Sequence, residues 1–211
     1  MKKQSLDRQR PLSSESGMTL IELVVVAVIL AILAAIAAPS WVNFLARQKL
    51  NSGINTVYQA MREAQTQART QNMTWQASFR ERNGRVQVAV HAAAETDFVP
   101  VGVLNNEGYW QDLPQGVIID KDKNDRGTYE TSLPKQTTQG PWRVQFNYLG
   151  CPIRTFDDYC GHTSLQALGR VTLMSENGGK MRRCAIASTL LGAMRIGRNY
   201  SKPDSTDKYC H

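Results

Sequence analysis

The chain has 211 residues, of which 42% are hydrophobic and 20% charged, and its formal net charge is +7. This length leaves room for one apolar segment of about twenty residues and one domain of ordinary size. The charge is unevenly distributed, because residues 1–17 carry a net +2, residues 18–168 are neutral and residues 169–211 carry +5. Only the C-terminal part therefore calls for a functional interpretation of its basicity.

A long apolar segment follows the short basic N-terminus. Leu23 to Ala38 are sixteen consecutive uncharged residues. They correspond to about 24 Å of helix, slightly short for a bilayer, and counting the flanks from Met18 to Leu45 makes a tilted span feasible. Four Lys or Arg residues precede the segment, and only Arg47 and Lys49 closely follow it. The positive-inside rule thus predicts a cytoplasmic N-terminus and an exported C-terminal domain.

Helical patterning continues beyond Pro39, although proline normally ends or kinks a helix. Apolar residues recur there at steps of three and four, and polar residues fill the other face. The apolar members are Leu50, Ile54, Val57, Tyr58, Met61, Ala64 and Ala68. We expect one helix from about Thr19 to Asn72, kinked near Pro39, with its second half packed on a globular domain.

From residue 75 onward the period of the pattern changes to two, which predicts strands. The segments WQASFRER, from Trp75, and RVQVAVH, from Arg85, alternate apolar and polar residues across an Asn-Gly turn, a strong hairpin signal. Further strand candidates are residues 98–104, 116–120, 142–149, 170–175, 182–188 and 191–195. No helical pattern interrupts them. The expected fold is therefore α+β: a long N-terminal helix packed on an antiparallel sheet or on two stacked sheets.

The four cysteines all follow the apolar segment, and their even number is typical of an exported domain with two disulfides. Three pairings are open. We favour Cys151–Cys160, which closes a short loop, and Cys184–Cys210, which ties down the tail. A metal site combining these cysteines with His162 and His211 is an alternative, but no C-x-x-C pair is present, so we predict disulfides and no metal.

The N-terminal segment has two interpretations, and the first is an ordinary secretory signal peptide. It has a basic start, an apolar centre and a small-x-small cleavage site at Ala35-Ile36-Ala37. The product would be a soluble secreted protein rich in β-strands. This interpretation leaves Glu22 unexplained, because a carboxylate at mid-bilayer costs about 2.5–3.5 kcal/mol.

The second interpretation places the cut between Gly17 and Met18. The stretch SGMTLIELVVVAVILAILAAIAAPS resembles the class III signal of the type IV pilin family, with an acid at the fifth position after the cut, Glu22, and a proline at the twenty-second, Pro39. The family usually has Phe where Met18 stands. The resemblance implies that the prepilin peptidase removes a leader, residues 1–17, and that Met18 is N-methylated. It also implies a hydrophobic helix at 18–45, which serves as membrane anchor and filament core, and a globular domain at 46–211.

The same resemblance implies that Glu22 sets the axial register of subunits in a filament. In a core of apolar helices its carboxylate would pair with the α-amino group of Met18 in a neighbouring subunit. The aliphatic residues expected to form the packing surface are Leu23, Val26, Ile29, Leu30 and Leu33. A local role is the alternative, since Thr19-x-x-Glu22 has the form of a helix capping box.

The segment from Gly169 to Gly197 resembles the last strands of the GspH/FimT group of minor pilins and pseudopilins. In that group, G-R-V-T-L, R-C and S-T-L-L-G segments follow one another. The resemblance implies a structural subunit that initiates, caps or decorates a type IV pilus or a type II secretion pseudopilus. Its partners would be other pilins, the prepilin peptidase and an inner-membrane assembly platform. Before assembly the chain would span the bacterial inner membrane once, and afterwards it would lie in a filament in the periplasm or at the cell surface.

Some members of that group bind DNA through a C-terminal Gly-Arg-x-Arg segment, so DNA uptake is an alternative role. Here the matching residues, Gly192 to Arg195, lack the first arginine. Clustered positive charge remains, and attraction to phosphates requires no sequence code. The candidate DNA contacts are Lys180, Arg182, Arg183, Arg195, Arg198 and Lys202.

The remaining polar motifs predict no further site. The segment DKDKNDRGTYE begins like a calcium-binding loop, but Asp125 stands where glycine is required and Thr131 where a bidentate glutamate is required, so we expect a solvated turn. His91 and His162 are expected at the surface. The sequence contains no recognisable catalytic triad, phosphate loop or nucleotide fingerprint, so we predict neither an enzyme nor a bound cofactor.

Overall fold

The structure is a computed structural model that describes residues 17–156, 160, 169–176, 181–187 and 192–211. The expected leader up to residue 16, Lys180, His162 and the side chain of Pro39 lie outside the described residues. The chain divides into two compact units, whose described parts are residues 17–42 and the residues from 43 to the C-terminus.

The first element is one long helix, α1, which spans Leu20–Gln71 and agrees closely with the expected 19–72. Its second half carries the predicted apolar stripe, and most of that stripe is buried. The residues exposed by 2% or less are Leu50, Ile54, Val57, Met61, Ala64 and Ala68. Tyr58 is half-buried. The helical period therefore identified the face of α1 that packs in the core.

The strands form two antiparallel sheets among the described residues. They are β1 Trp75–Arg82, β2 Arg85–Ala92, β3 Gln111–Asp112, β4 Val117–Ile119, β5 Trp142–Phe146, β6 Pro152–Ile153, β7 Gly169–Ser175, β8 Arg182–Ala187 and β9 Met194–Arg198. The first sheet has the order β3-β2-β1-β5-β6, and the second has the order β4-β7-β8-β9. A long N-terminal helix followed by antiparallel sheets confirms the α+β fold class.

One hydrophobic core joins the second half of α1 to both sheets. The hairpin of β1 and β2 contributes the residues that the alternating pattern predicts, with Ala77 opposite Val90 and Phe79 opposite Val88. Its turn has Asn83 and Gly84 at positive φ, as a type I′ turn requires. The second sheet contributes Val117, Ile119, Val171, Leu173, Ala185 and Ala187.

The expected strand at residues 98–104 is wrong, because Val101–Leu104 form a short helix, α2. Pro100 precedes it, and proline suits the start of a helix since it has no N–H to donate. A buried Trp110 donates from Nε1 to the carbonyl of Val103 at 2.8 Å. These residues form a small separate cluster with Val99 and Ala89 on the first sheet. The apolar run is too short for its periodicity to distinguish a helix from a strand. Its helical conformation goes with the packing of these residues against Trp110.

The last strand is displaced from its expected position, since β9 begins at Met194 instead of residue 191. Residue 191 lies outside the described residues, and Gly192 has a positive φ of 64° that a strand residue does not adopt. The two-residue strands β3 and β6 were not predicted, because segments of that length carry no measurable alternation.

The two favoured disulfides are confirmed. Cys151 and Cys160 are bonded, with 5.6 Å between their Cα atoms, and Cys184 and Cys210 are bonded, with 6.0 Å between theirs. The second bond joins β8 to the C-terminal tail. Cys184, Ile186 and Cys210 form a buried cluster on the face of the second sheet opposite α1.

Candidate assembly site

The N-terminal turn of α1 carries Glu22, the acid on which the assembly interpretation depends. Thr19 Oγ1 accepts a hydrogen bond from the backbone N–H of Glu22 at 3.3 Å, and the carbonyl of Thr19 accepts from Leu23 at 3.2 Å. Thr19 thus caps the helix, as the first half of a capping box does. The Glu22 side chain itself is exposed, and the acid lies in the first turn, where the helix dipole favours negative charge.

The apolar part of α1 that follows Glu22 exposes every side chain described from Leu23 to Ala37. The five expected packing residues are each between 40% and 60% exposed. Within the described residues, α1 is also the one helix long and apolar enough to cross a membrane, with a mean hydropathy of 3.1 over its most apolar window. Fifteen or so exposed aliphatic side chains cannot face water, so this segment requires a bilayer or other apolar helices.

Residues 12–38 match the family described as the prokaryotic N-terminal methylation motif. The chain carries a prepilin-type N-terminus. The match supports a type IV pilin-like protein, and the motif implies processing by the prepilin peptidase and assembly with other pilins. No curated protein and no solved structure matches the chain. The finer resemblance to the GspH/FimT group stays a prediction.

The prepilin-type segment places the expected cleavage site in an accessible position. Gly17 and Met18 precede α1, Gly17 is exposed and Met18 is 61% exposed. A peptidase needs an extended, accessible backbone at the bond it cuts, and helix α1 begins two residues after Met18. Pro39 falls within the bounds of α1.

The five candidate DNA contacts that the structure describes, which leave out Lys180, do not lie on one face of the second sheet. Arg183 on β8 lies directly opposite Arg198 on β9, so these two share a face. Arg195 lies opposite Ile186 and faces the other side, because side chains alternate along a strand. Arg182 pairs with the carboxylate of Asp120. Lys202 is exposed beyond β9.

Sequence reasoning missed Arg47, which joins Arg183 and Arg198 around a groove of about 320 Å³. The groove is also lined by Leu50, Asn51, Met181, Arg182 and Asn199. We call Arg47, Arg183 and Arg198 the arginine groove. In the sequence Arg47 is only a flanking charge of the apolar segment, and nothing in its spacing indicates two partners on strands more than a hundred residues later.

The acidic loop after β4 is structural and not merely a solvated turn, so that expectation is wrong in part. Asp120 is 3% exposed and Glu130 is fully buried. Glu130 accepts hydrogen bonds from the Asn124 side chain and from the backbone of Tyr209, which fixes the tail against the loop. Burial raises the pKa of Asp120, and its contact with Arg182 opposes the rise only in part. Among the described residues, no group of three or more His, Cys, Asp or Glu could hold a metal ion.

The expectation that His91 lies at the surface is wrong, because it is 4% exposed. Its Nδ1 faces the carbonyl of Ala92 at 2.8 Å, so Nδ1 carries the proton and Nε2 accepts from Ser78 Oγ at 3.0 Å. Gln76 and Gln145 extend this network in the first sheet. The sequence places His91 at the end of a predicted strand, where an exposed side chain is expected, but the chain after β2 folds over this face, and Gln76 on β1 donates from Nε2 to the carbonyl of Phe98 at 3.0 Å.

Proposed function

We propose that this protein is a minor pilin or pseudopilin of the GspH/FimT type, a structural subunit and not an enzyme. The mature chain is held in the inner membrane by its apolar helix until it is extracted into a filament. There it initiates, caps or decorates the fibre through helix packing and contacts of the globular domain.

The observation that carries this proposal is the exposure of the apolar segment that follows the prepilin-type motif. A prepilin-type motif marks its start, and its aliphatic side chains are exposed over the whole described stretch from Leu23 to Ala37. A segment that a signal peptidase discards needs no acid at Glu22, whereas a helix kept on the mature chain needs a way to fix its register among neighbouring pilin helices.

The proposal is tested by replacing the acid, with Glu22→Ala in cells that assemble the filament. We expect normal membrane insertion and cleavage, but at least about tenfold less chain in sheared filaments. The reason is that losing one member of a buried charge pair leaves the partner unpaired, at a cost of about 3–5 kcal/mol.

The matched control is Glu63→Ala, which removes an exposed acid of α1 from the globular unit. This variant should enter filaments at the wild-type level. Normal incorporation of the Glu22→Ala chain would contradict the register role, and loss of both variants would indicate a general defect of secretion.

DNA uptake through the C-terminal basic residues stays a prediction. Its candidate residues are divided between two faces of the sheet, and Arg182 is paired with Asp120. Neither observation adds support for DNA binding. Binding to a short DNA duplex is therefore included below as an outcome that distinguishes the two uses of the arginine groove.

A further inference from the structure

The arginine groove is a concentration of positive charge that no carboxylate in the described part of the chain neutralises through an ion pair. The described residues contain six ion pairs, and these involve Arg80, Arg82, Arg85, Lys121, Arg170 and Arg182. None of the three arginines of the groove takes part in an ion pair among the residues described. Arg183 donates from Nε to Asn51 at 2.8 Å and Arg198 donates from Nε to the Tyr200 hydroxyl at 3.2 Å, so both have further guanidinium N–H groups to donate.

No carboxylate stands among the described residues that line the groove. The guanidinium fork matches the oxygens of phosphates and carboxylates, so three guanidinium groups around a groove of this size favour a compact anion of this kind. The neutral lining residues Asn51 and Asn199 can add further polar contacts.

An exposed apolar side chain shares a face of the second sheet with Arg183 and Arg198. Ile196, which is 41% exposed, precedes Arg198 by two residues on β9 and shares its face of the sheet. An exposed apolar group next to a phosphate site matches a molecule that is itself amphipathic.

We propose that the arginine groove binds the phosphate of an anionic phospholipid, of the phosphatidylglycerol kind, at the outer surface of the inner membrane. The inference rests on the proposed function, since it needs the apolar helix to remain on the mature chain. Arg47 is two residues beyond Leu45, the last apolar residue of the expected span, or about 3 Å along a helix. Chain connectivity therefore keeps Arg47 at headgroup depth while the helix is in the bilayer.

Nucleic acid is a poorer occupant of this groove. A DNA duplex presents a phosphate about every 1.7 Å of helix axis. A protein therefore binds it most tightly with basic residues that extend along several phosphates. The groove is compact, and DNA phosphates gain nothing from the exposed Ile196.

The test uses the full mature chain in nanodiscs that contain equal amounts of phosphatidylglycerol and phosphatidylcholine. Native mass spectrometry then counts the lipids that each chain retains on release. We expect the wild type to retain phosphatidylglycerol preferentially. The variant with Arg183→Gln and Arg198→Gln should lose this preference by about tenfold or more, because each substitution removes charge-assisted hydrogen bonds to the lipid phosphate.

The matched control is the variant with Arg82→Gln and Arg85→Gln, which also removes two arginine charges, from side chains that pair with Glu107 and Asp112 and lie outside the groove. It should retain phosphatidylglycerol like the wild type. Thermal unfolding of all variants checks that the substitutions leave the domain folded.

Three results would overturn the inference. The first is equal retention of the two lipids by the wild type, and the second is an unchanged preference in the double variant that remains folded. The third is displacement of the lipid by inorganic phosphate or by a short DNA duplex at lower concentration than by soluble phosphatidylglycerol. A chain that is cut before Met18 and enters filaments, yet shows no lipid preference, would refute the lipid site and leave the proposed function intact.

Discussion

Gln65 fixes two loops to helix α1 from a single buried position. Its Nε2 donates to the carbonyls of Gly150 and Gly192, each at 2.7 Å, and the side chain is 3% exposed. Gly192 permits this approach, because its φ is 64° and a Cβ there would lie 2.2 Å from both Gln65 Nε2 and the Gly150 carbonyl oxygen. The end of the second sheet is thus held to the helix through backbone carbonyls.

Substituting this glycine should destabilise the domain. We expect Gly192→Ala to lower the free energy of unfolding by about 1–3 kcal/mol through backbone strain, with an additional loss from the displaced Gln65. Urea denaturation measures the difference. The control is Gly116→Ala, since Gly116 has a φ of 83° but no atom within 4 Å of the added Cβ. A Gly192→Ala loss no larger than the control would show that the Gln65 contact is unimportant.

His91 should make stability depend on pH. Burial lowers the pKa of His91 below 6.5, and the nearby charge of Arg143 lowers it further, although the hydrogen bond with Ala92 opposes them. The unfolded chain therefore binds the proton more readily than the folded chain. Stability is complete above about pH 6.5 and falls as the pH drops below it, by up to about 1.4 kcal/mol per pH unit until the folded pKa is reached.

The measurement is the unfolding free energy between about pH 8 and pH 5, the range in which histidines change charge. A His91→Asn variant keeps a polar side chain and should flatten the profile, even if it is less stable overall. An identical pH slope in wild type and variant would assign the dependence to other groups.

Among the elements, those with a long, regular pattern could be predicted from the sequence. Helix α1 shows a period near 3.6 over its second half, and the hairpin of β1 and β2 shows a period of two with an Asn-Gly turn. Helix α2 could not be predicted, because the packing of Trp110 against Val103 depends on residues brought together only by folding. The arginine groove could not be predicted either, since it joins Arg47 to two strands at the far end of the chain.

The two disulfides constrain the domain to different extents. Cys184 and Cys210 are 26 residues apart, and Cys151 and Cys160 are 9 apart. Loop-closure entropy gives about 3.5 kcal/mol for the first bond and about 2.6 kcal/mol for the second. The C-terminal tail also depends on Arg170, which is buried and pairs with Asp204 at 2.9 Å.

Removing each bond separately checks this order. We expect replacement of Cys184 and Cys210 by alanine to cost more unfolding free energy than replacement of Cys151 and Cys160. Denaturation of the two double variants gives the comparison. A larger loss of unfolding free energy in the variant without Cys151–Cys160 would contradict this order. It would show that contacts of that loop in the folded state outweigh the entropy of loop closure.

The whole molecule combines an exposed apolar segment with a well-packed domain. The core of the domain joins α1 to both sheets, while the segment from Leu23 to Ala37 leaves its aliphatic side chains outside any core. These side chains can be buried only by lipid or by other apolar helices. The methylation motif at residues 12–38 covers this same segment and supports a type IV pilin-like protein.

The competing account, a soluble secreted protein, differs in one covalent bond. It requires a cut after Ala37, which removes Glu22 and the apolar segment and leaves the domain to act alone. The pilin account requires a cut after Gly17, which keeps both. Every further step, from anchoring to register and to the lipid site, follows from which bond is cleaved.

Mass spectrometry of the N-terminal peptide of the mature chain, isolated from cells, tests the account most directly. We predict a chain that begins at Met18 and carries an N-methyl group on its α-amino nitrogen. A chain that begins at Ala38, or one that retains residues 1–17, would contradict the account.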